Sequence, residues 1–387
     1  MINLYYIGAD EDFARNSAGA LRIINNCKAI SQNPIYNIRI IGYSDIEYLT
    51  KDSYEVFNTK RGKNALQKFF YYLVRSFSII KLLKRFLEKP DIIIYYGTSA
   101  RILFPLLQYC KHNQIKLIED VVEWYNYSHL PFGKYGPLAI DVNLAMTKLI
   151  HKCNGVIVIS TFLQNYYNYK VNKILKVPIL IDNVIQTLPI NESISFDSDY
   201  LNLIYAGFPG RKDLLFNVIT AVEYCSSIGF AVKLHILGPT KNELGSFFKH
   251  QFSNSIIFHG KVSQSLVSEN LKRADFSVLL RPDERYAHAG FPTKFVESLN
   301  SGLPVIANIT SDLANYLIDG YNGFIVPDSS VNSFVAVLKK ILSKDKNEFK
   351  KMKINAQKTA KENFQYQLFS KCLSDFILDI VNEGNSS

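Results

Sequence analysis

Residues 281–308 read RPDERYAHAGFPTKFVESLNSGLPVIAN, and the reading of this stretch decides the fold. Just upstream, Phe276-Ser277-Val278-Leu279-Leu280 is an apolar run of strand length that stops at Arg281. Gly290-Phe291-Pro292 makes a turn, a helix opens at Thr293, and Gly302-Leu303-Pro304 closes that helix into another apolar run. Strand, helix and strand in this order predict a βαβ unit and a parallel sheet. A helix that starts at a strand's end presents free N–H groups and the positive end of its dipole there, which suits a phosphate. Gly290 lets a ligand approach the backbone closely. Glu297 lies about one turn inside, on the face of Lys294, where its carboxylate can accept paired hydrogen bonds from a ribose diol.

The same alternation continues on both sides. From residue 201 it predicts strands at Leu201–Ala206, Val232–Leu237, Ile256–His259, Phe276–Leu280, Pro304–Ala307 and Gly323–Val326. Helices at Lys212–Ser226, Glu243–His250, Gln264–Arg273, Thr293–Ser301, Asp312–Ile318 and Val331–Leu342 separate them. In the front half the strands are Ile2–Ile7, Ile38–Gly42, Asp91–Tyr96, Ile115–Val121, Gly155–Ser160 and Pro178–Ile181, with helices near Ala18–Ile30, Ala65–Leu87, Ala100–His112, Leu138–Lys152 and Thr161–Tyr169. The fold class is therefore α/β, with two Rossmann-like doubly wound domains facing across a cleft. The polar, aperiodic segment before residue 201 reads as a linker. The division is 1–185, linker 186–200, 201–345, and C-terminal helices over 346–387 that cross back toward the first domain. Doubly wound sheets place ligands at their strand carboxyl ends.

Composition narrows the class. The 387 residues are 48% hydrophobic and 20% charged, which excludes disordered and collagen-like chains and is long enough for two cores. Five scattered cysteines (Cys27, Cys110, Cys153, Cys225, Cys372) with no CxxC spacing argue against a disulfide framework or a cysteine zinc site, and so for a reducing cytoplasm. The opening Met1-Ile2-Asn3-Leu4-Tyr5-Tyr6 has no basic and apolar leader pattern, so a standard secretion signal is not expected. Apolar stretches are broken by Lys or Arg before the roughly 18–20 residues a membrane span needs.

The net charge of +10 is uneven, because residues 1–185 carry 23 Lys and Arg against 14 Asp and Glu. Much of it lies in 61–89, where Arg61, Lys63, Lys68, Arg75, Lys81, Lys84, Arg85 and Lys89 face a single acid, Glu88. Phe69, Phe70, Tyr72, Leu73, Phe77, Ile80, Leu83 and Phe86 recur among them at helical steps. Two readings stand: a helix packed on its own sheet with a solvated cationic face, or one lying on an anionic membrane. Nucleic-acid binding is disfavoured, since no zinc-finger, RNP-like or helix-turn-helix pattern accompanies the charge.

Three windows together resemble the retaining glycosyltransferase family 4 (glycosyl transferases group 1). The first is Gly290-Phe291-Pro292 with Glu297 and Gly302-Leu303-Pro304-Val305-Ile306. The second is Tyr205 to Asp213, YAGFPGRKD, similar to the family's glycine loop with basic diphosphate ligands. The third is Asp312 to Pro327, DLANYLIDGYNGFIVP, similar to its closing element. The resemblance implies the GT-B fold, an acceptor-binding first domain and a nucleotide-sugar-binding second domain. It implies a metal-independent, retaining hexosyltransferase-type enzyme of the EC 2.4 class. Arg211, Lys212 and Glu297 take catalytic roles in this reading, and Gly207, Gly210, Arg281, Gly290, Phe291, Pro292, Thr293 and Lys294 hold the donor. Charge that grows on the leaving diphosphate is stabilised by the cations and helix amides, with no metal or other cofactor and a UDP-sugar as co-substrate.

Two departures qualify the match. Ala289 stands eight residues before Glu297, where many members have a Glu that touches the donor sugar, with Glu284 and His288 nearby as substitutes. Phe208 follows Gly207 where the family has Arg. On the acceptor side, Gly19 at a helix start is expected to admit the diphosphate, Asp120 and Glu123 to polarise the acceptor hydroxyl, and His129 to lie in an aromatic loop covering a sugar face. The triplets Asp10-Glu11-Asp12 and Asp197-Ser198-Asp199 read as solvated. The expected function is transfer of a sugar to a growing bacterial surface glycan or lipid-linked saccharide, in the cytoplasm and peripheral to the inner membrane face. The alternative is a non-catalytic protein of the same fold that binds glycans or supports a partner.

Overall fold

Runs rich in Ile, Val, Leu and Tyr, bounded by polar turns, become the strands of two parallel sheets buried on both faces. The computed structural model describes residues 1–15, 17–182, 196–210, 212–248 and 251–383, so most of the expected linker, and Arg211, lie outside the described residues. The first sheet holds β1 (Ile2–Gly8), β2 (Tyr36–Tyr43), β3 (Tyr48–Lys51), β4 (Tyr54–Thr59), β5 (Ile92–Tyr96), β6 (Lys116–Val121), β7 (Gly155–Val158) and β8 (Ile174–Lys176). Their order is β3-β4-β2-β1-β5-β6-β7-β8. All neighbours pair parallel except the β3–β4 hairpin.

The second sheet holds β9 (Leu201–Ala206), β10 (Val232–Leu237), β11 (Ile256–Gly260), β12 (Phe276–Leu279), β13 (Val305–Asn308) and β14 (Gly323–Val326), in the order β11-β10-β9-β12-β13-β14 and all parallel. Its order reverses between β9 and β12, the point where a doubly wound sheet opens a ligand crevice at its carboxyl edge. The chain forms two compact units: Met1–Asp182 with Ala289–Phe291 and Tyr366–Ser387, and Asn183–His288 with Pro292–Gln365. In the first unit the helix Ser370–Asn382 packs on the helix Ala18–Ile30.

The hairpin is absent from the sequence reading because its turn, Asp52-Ser53, has φ of 49° and 72° at residues that do not announce a left-handed turn as Asn-Gly does. The last strand of the first sheet is Ile174–Lys176 rather than Pro178–Ile181. There the Val177 and Pro178 carbonyls accept from Arg22 instead of from a strand. The segment Asp312–Ile318 contains a short 3₁₀ turn, Ser311–Asn315, in place of an α-helix.

Two adjacent acids on β6 meet opposite fates, because successive side chains point to opposite faces of a sheet. Asp120 is fully buried and takes a bidentate pair from Arg22 at 2.7 and 2.9 Å and a 2.6 Å hydrogen bond from the Tyr6 hydroxyl. Glu119 is as deeply buried, yet neither of its oxygens has a hydrogen-bond partner among the described residues. Burial, reinforced by the charge of Asp120, pushes its carboxyl well above the ordinary 4.5.

The folded protein therefore holds a proton here that the unfolded chain releases near pH 4.5. The stability contributed by the neutral carboxyl is full below that pH and is lost as pH rises toward the raised folded value. Glu119→Gln cannot ionise, so its denaturation midpoint should gain on that of the wild type from pH 5 to pH 8. A gap that stays constant across urea titrations at those pH values would mean that Glu119 is already ionised in the native state.

Candidate functional site

The carboxyl edge of the second sheet collects the loops after β9, β12 and β13, and its chemistry centres on Asp213. That carboxylate is buried and accepts from the Tyr205 hydroxyl at 2.6 Å and from Lys294 Nζ, while Arg281 Nε lies 3.4 Å from its other oxygen. Burial alone would raise the carboxyl of Asp213. The charges of Lys294 and Arg281, with the hydrogen bonds from Lys294 and Tyr205, outweigh it and hold the group below the usual aspartate range. The cluster thus has two cations, one anion and a phenol that burial keeps protonated.

Arg281 is fixed from its backbone. Its N–H donates to Asn308 Oδ1 at 2.9 Å, and Asn308 Nδ2 donates back to its carbonyl at 2.8 Å. Its guanidinium is nearly buried, and neither Nε nor Nη1 has a hydrogen-bond partner among the described residues. Buried N–H groups are ordinarily satisfied, so these donors are poised for an acceptor that carries charge.

Lys294 reaches this cluster across Gly207. That glycine has φ +118°, a left-handed value that disfavours side chains, and a Cβ built on it would lie 2.8 Å from Lys294 Cε. Lys294 Nζ also donates to the Tyr205 hydroxyl at 2.7 Å. The turn calls for the glycine, and a side chain there would displace the end of the lysine.

The helix Thr293–Asn300 begins behind Pro292, whose side chain makes no capping hydrogen bond, and the first N–H groups of a helix are the ones that have no partner within it. Glu297, one turn in, is partly buried, and its carboxylate makes no hydrogen bond or ion pair to any described residue. Burial raises its carboxyl above 4.5, with the charge of Lys294 opposing the shift. Lys212 follows the glycine loop, its N–H donating to the Pro209 carbonyl at 3.2 Å. Gly210 has φ +53° and open space where a Cβ would go.

Gly207, Lys212, Arg281, Pro292, Thr293, Lys294 and Glu297 thus all belong to the second unit, whereas Gly290 and Phe291 group with the first. Near them, His288 Nε2 lies 2.5 Å from Asp283, and its Nδ1 accepts from the Ser311 N–H at 3.3 Å. Glu284 opens the short helix Arg285–Ala289, its carbonyl accepting from the N–H groups of Ala287 and His288.

Sequence reasoning missed four residues here. Asp213 and Asn308 act on partners far along the chain. Thr310 and Ser311, after β13, have buried hydroxyl oxygens with no hydrogen-bond partner among the described residues, and Ser311 has φ +54°. The one signal available for them was their position at a strand's carboxyl end.

Two acceptor-side expectations are corrected in the first unit. Asp120 does not face a ligand: it is the internal counter-ion of Arg22. The space beside Gly19 is already filled, since a Cβ there would run into the Glu11 carboxylate and lie 2.7 Å from the Tyr96 ring. Glu11 accepts from the Ser17 hydroxyl, and Ser17 in turn caps the helix Ala18–Ile30 by accepting from the Ala20 N–H at 3.2 Å, so Glu11 is tied to the start of that helix. Its neighbours are tied as well, Asp10 to Arg75 and Asp12 to Arg61, and in the other triplet Asp197 pairs with Lys233.

Glu123 stands beside Tyr125, whose phenol it pushes up by its charge, by burial and by a hydrogen bond. The charges of Glu11 and Glu123 both bear on Tyr96 at the end of β5. His129 closes a 3₁₀ turn, Tyr127–His129.

A sheet of this order is a domain of the doubly wound class, and the glycine loop, paired cations and helix start at its carboxyl edge are groups whose chemistry suits a phosphate. Residues 191–359, nearly all of which lie in the second unit, match the family model of glycosyl transferases group 1. None of the curated proteins matches the chain in sequence.

The whole chain has the GT-B fold. It aligns with sucrose-phosphate synthase from Thermosynechococcus elongatus at a TM-score of 0.78 and 12% identity, over 99% of this chain and 100% of that one. Anabaena HepE, solved with UDP and glucose, aligns at 0.70 and 13% identity over 98% and 100%. The lipopolysaccharide outer core galactosyltransferase WaaB aligns at 0.65 and 14% identity over 98% and 99%.

Gly207→Ala tests the cation cluster directly. The methyl group would strain the turn and displace Lys294, so affinity for pyrophosphate should fall about tenfold, the scale of a 1–2 kcal/mol backbone penalty. Unchanged affinity in isothermal titration would mean that Lys294 does not reach the anion by this route.

Proposed function

We propose that this protein transfers a sugar with retention of anomeric configuration from a nucleotide-sugar, a UDP-sugar in the first instance, to a saccharide or lipid-linked saccharide of a bacterial surface glycan. The observation that carries this reading is the Asp213 cluster: two cations held by one carboxylate at the start of a helix, with Arg281 Nη1 lacking a hydrogen-bond partner among the described residues. In this reading the donor's diphosphate lies against Lys294, Arg281 and the first amides of the helix Thr293–Asn300, with Lys212 and Arg211 as further cations. Glu297 accepts both hydroxyls of the ribose. The HepE complexes with UDP and UDP-glucose support the choice of donor by analogy of fold.

Departure of the nucleoside diphosphate leaves negative charge on its terminal phosphate as the anomeric C–O bond breaks. Stabilising that charge is the largest contribution these residues can make, and fixed cations and amides supply it without reorganising at the moment of reaction. A metal ion is not needed for this step in the proposed mechanism. Neutralisation by Asp213 has its own consequence: it keeps Lys294 and Arg281 close together despite their like charges. Binding of the diphosphate then adds a second anion to a site that carries a net positive charge. On the acceptor side, Glu123 and Tyr125 at the carboxyl end of β6 are the proposed contacts for the incoming hydroxyl. All five cysteines are free thiols, which fits the proposed cytoplasmic location.

A thermal-shift panel of UDP-, GDP-, ADP- and dTDP-sugars tests the donor, because a ligand at 100 times its Kd stabilises by about 2.7 kcal/mol. Release of nucleoside diphosphate from the stabilising donor supports the enzyme; binding without turnover across acceptors favours the glycan-binding alternative that Ala289 suggests.

Glu297 gives a signed pH test. Its ionised form accepts the ribose hydroxyls, so donor affinity should be full above its raised pKa and decline as pH falls through it, starting above the ordinary 4.5. Glu297→Gln should bind the donor about tenfold more weakly at pH 8 and lose that decline. The same pH dependence in both proteins would place Glu297 away from the ribose.

A further inference from the structure

The helix Ala65–Leu83 in the first unit has two contrasting faces. Inward, Ile79 and Leu83 are buried, and so is Arg75, 3% exposed, whose guanidinium lies 3.7 Å over the Tyr43 ring and pairs with Asp10. Arg75 therefore does not belong to the cationic surface that its sequence context suggests, and Phe86 is likewise occupied, packed at 5.1 Å on Tyr5 and 4.8 Å on Phe57.

Outward, Leu66 is 80% exposed, Phe70 57%, Leu73 47% and Phe77 72%. Their spacing of four, three and four residues puts them in one line along the helix. An apolar line of this length facing solvent calls for a partner.

The surroundings indicate which partner. Lys81, Lys84 and Arg85 are exposed where the apolar line ends, and Leu87 is fully exposed just beyond them. The one acid of this segment, Glu88, is engaged by Arg39 at 2.9 Å. Beside the helix a groove of about 490 Å³ opens against the β3–β4 hairpin, and Tyr48, Lys60, Tyr71, Lys81 and Arg85 line it. Its one acid, Glu47, lies 3.7 Å from Lys60, which leaves the groove with a net positive charge. The next helix, Ala100–Asn113, packs on this one.

We infer that this face docks the protein on a bilayer of anionic phospholipid, with the apolar line entering the headgroup boundary and the Lys60–Lys81–Arg85 groove taking a lipid phosphate. Aromatic and leucine side chains enter such a boundary while lysines and arginines stay at phosphate depth, and here the apolar line runs along the helix while the cations cluster at its C-terminal end and in the adjoining groove. Among the described residues no helix is long and apolar enough to cross a membrane, so the contact is with one surface of the bilayer. The face lies entirely in the first unit and needs no donor, so it stands or falls apart from the sugar-transfer reading.

Co-sedimentation of the full chain with vesicles, without donor or acceptor, tests the inference. The protein should bind vesicles of phosphatidylcholine with a third phosphatidylglycerol at low salt, bind pure phosphatidylcholine weakly, and be released by high salt. The combined variant Lys81→Gln, Lys84→Gln, Arg85→Gln should bind about 100-fold more weakly, a factor of about five for each near-surface cation. Phe70→Ser with Phe77→Ser should weaken binding while the salt dependence persists. Lys60→Gln should reduce the preference for phosphatidylglycerol over phosphatidylcholine. Each variant should keep the wild-type melting temperature and pyrophosphate affinity, which shows that it is folded. Absence of binding at low salt, equal binding by the triple Gln variant, or a concentration-dependent dimer that the Phe70 and Phe77 changes abolish would each overturn the proposal, the last in favour of a second copy of this chain.

Discussion

Removing a carboxylate from water costs several kcal/mol unless charge and hydrogen bonds offset it, and at Asp213 that requirement organises the second unit's functional edge. Lys294 arrives from the helix after β12, Arg281 from the end of β12 and Tyr205 from β9, and all three converge on the same two oxygens. Arg281 is held in turn by the reciprocal hydrogen bonds of Asn308, and Lys294 has its room from the missing side chain of Gly207. A site assembled this way has its cations in place before any ligand arrives. Preorganisation is what lets charge stabilisation act on a leaving group without the delay and cost of rearrangement.

The first unit shows the same physics used for folding. Arg22 and Asp120 are a buried pair with every strong donor and acceptor accounted for, joining the helix Ala18–Ile30 to β6 and to the chain after β8. Breaking such a pair from one side strands a buried charge, which is why Asp120 belongs to the architecture and not to the chemistry. Glu119, one residue away, has no such partner and is held neutral by its surroundings. The contrast between neighbours shows that residue type at a strand end does not by itself separate a functional acid from a structural one.

Most strands were legible in the sequence because parallel strands buried on both faces read as continuous apolar runs, as Ile92-Ile93-Ile94 does. Arg281, Lys294 and Glu297 were legible because one strand-turn-helix window contains them all. Asp213 was not, since its partner Lys294 is 81 residues away, and Asn308 lies 27 residues from Arg281. Asp120 was misread because Arg22 is 98 residues distant in the chain. Gly19 shows a different failure: a glycine at a helix start signals close approach of something, and here that something is the protein's own Glu11. The amphipathic helix was visible from periodicity, but which of its faces turns inward depends on the sheet it packs against, and Arg75, counted with the segment's cations, is buried.

The central claim is that the second unit recognises a diphosphate through Lys294 and Arg281, with Asp213 as their common anchor. Isothermal titration of uridine, UMP and UDP against the wild type and against Lys294→Gln with Arg281→Gln tests it most directly. The account predicts that UDP binds at least tenfold more tightly than UMP to the wild type, as expected for one charge-assisted hydrogen-bond set worth about 1.5–3 kcal/mol, and that the double variant loses most of this difference. Equal binding of UMP and UDP by the wild type, or an unchanged ratio in the double variant, would contradict it.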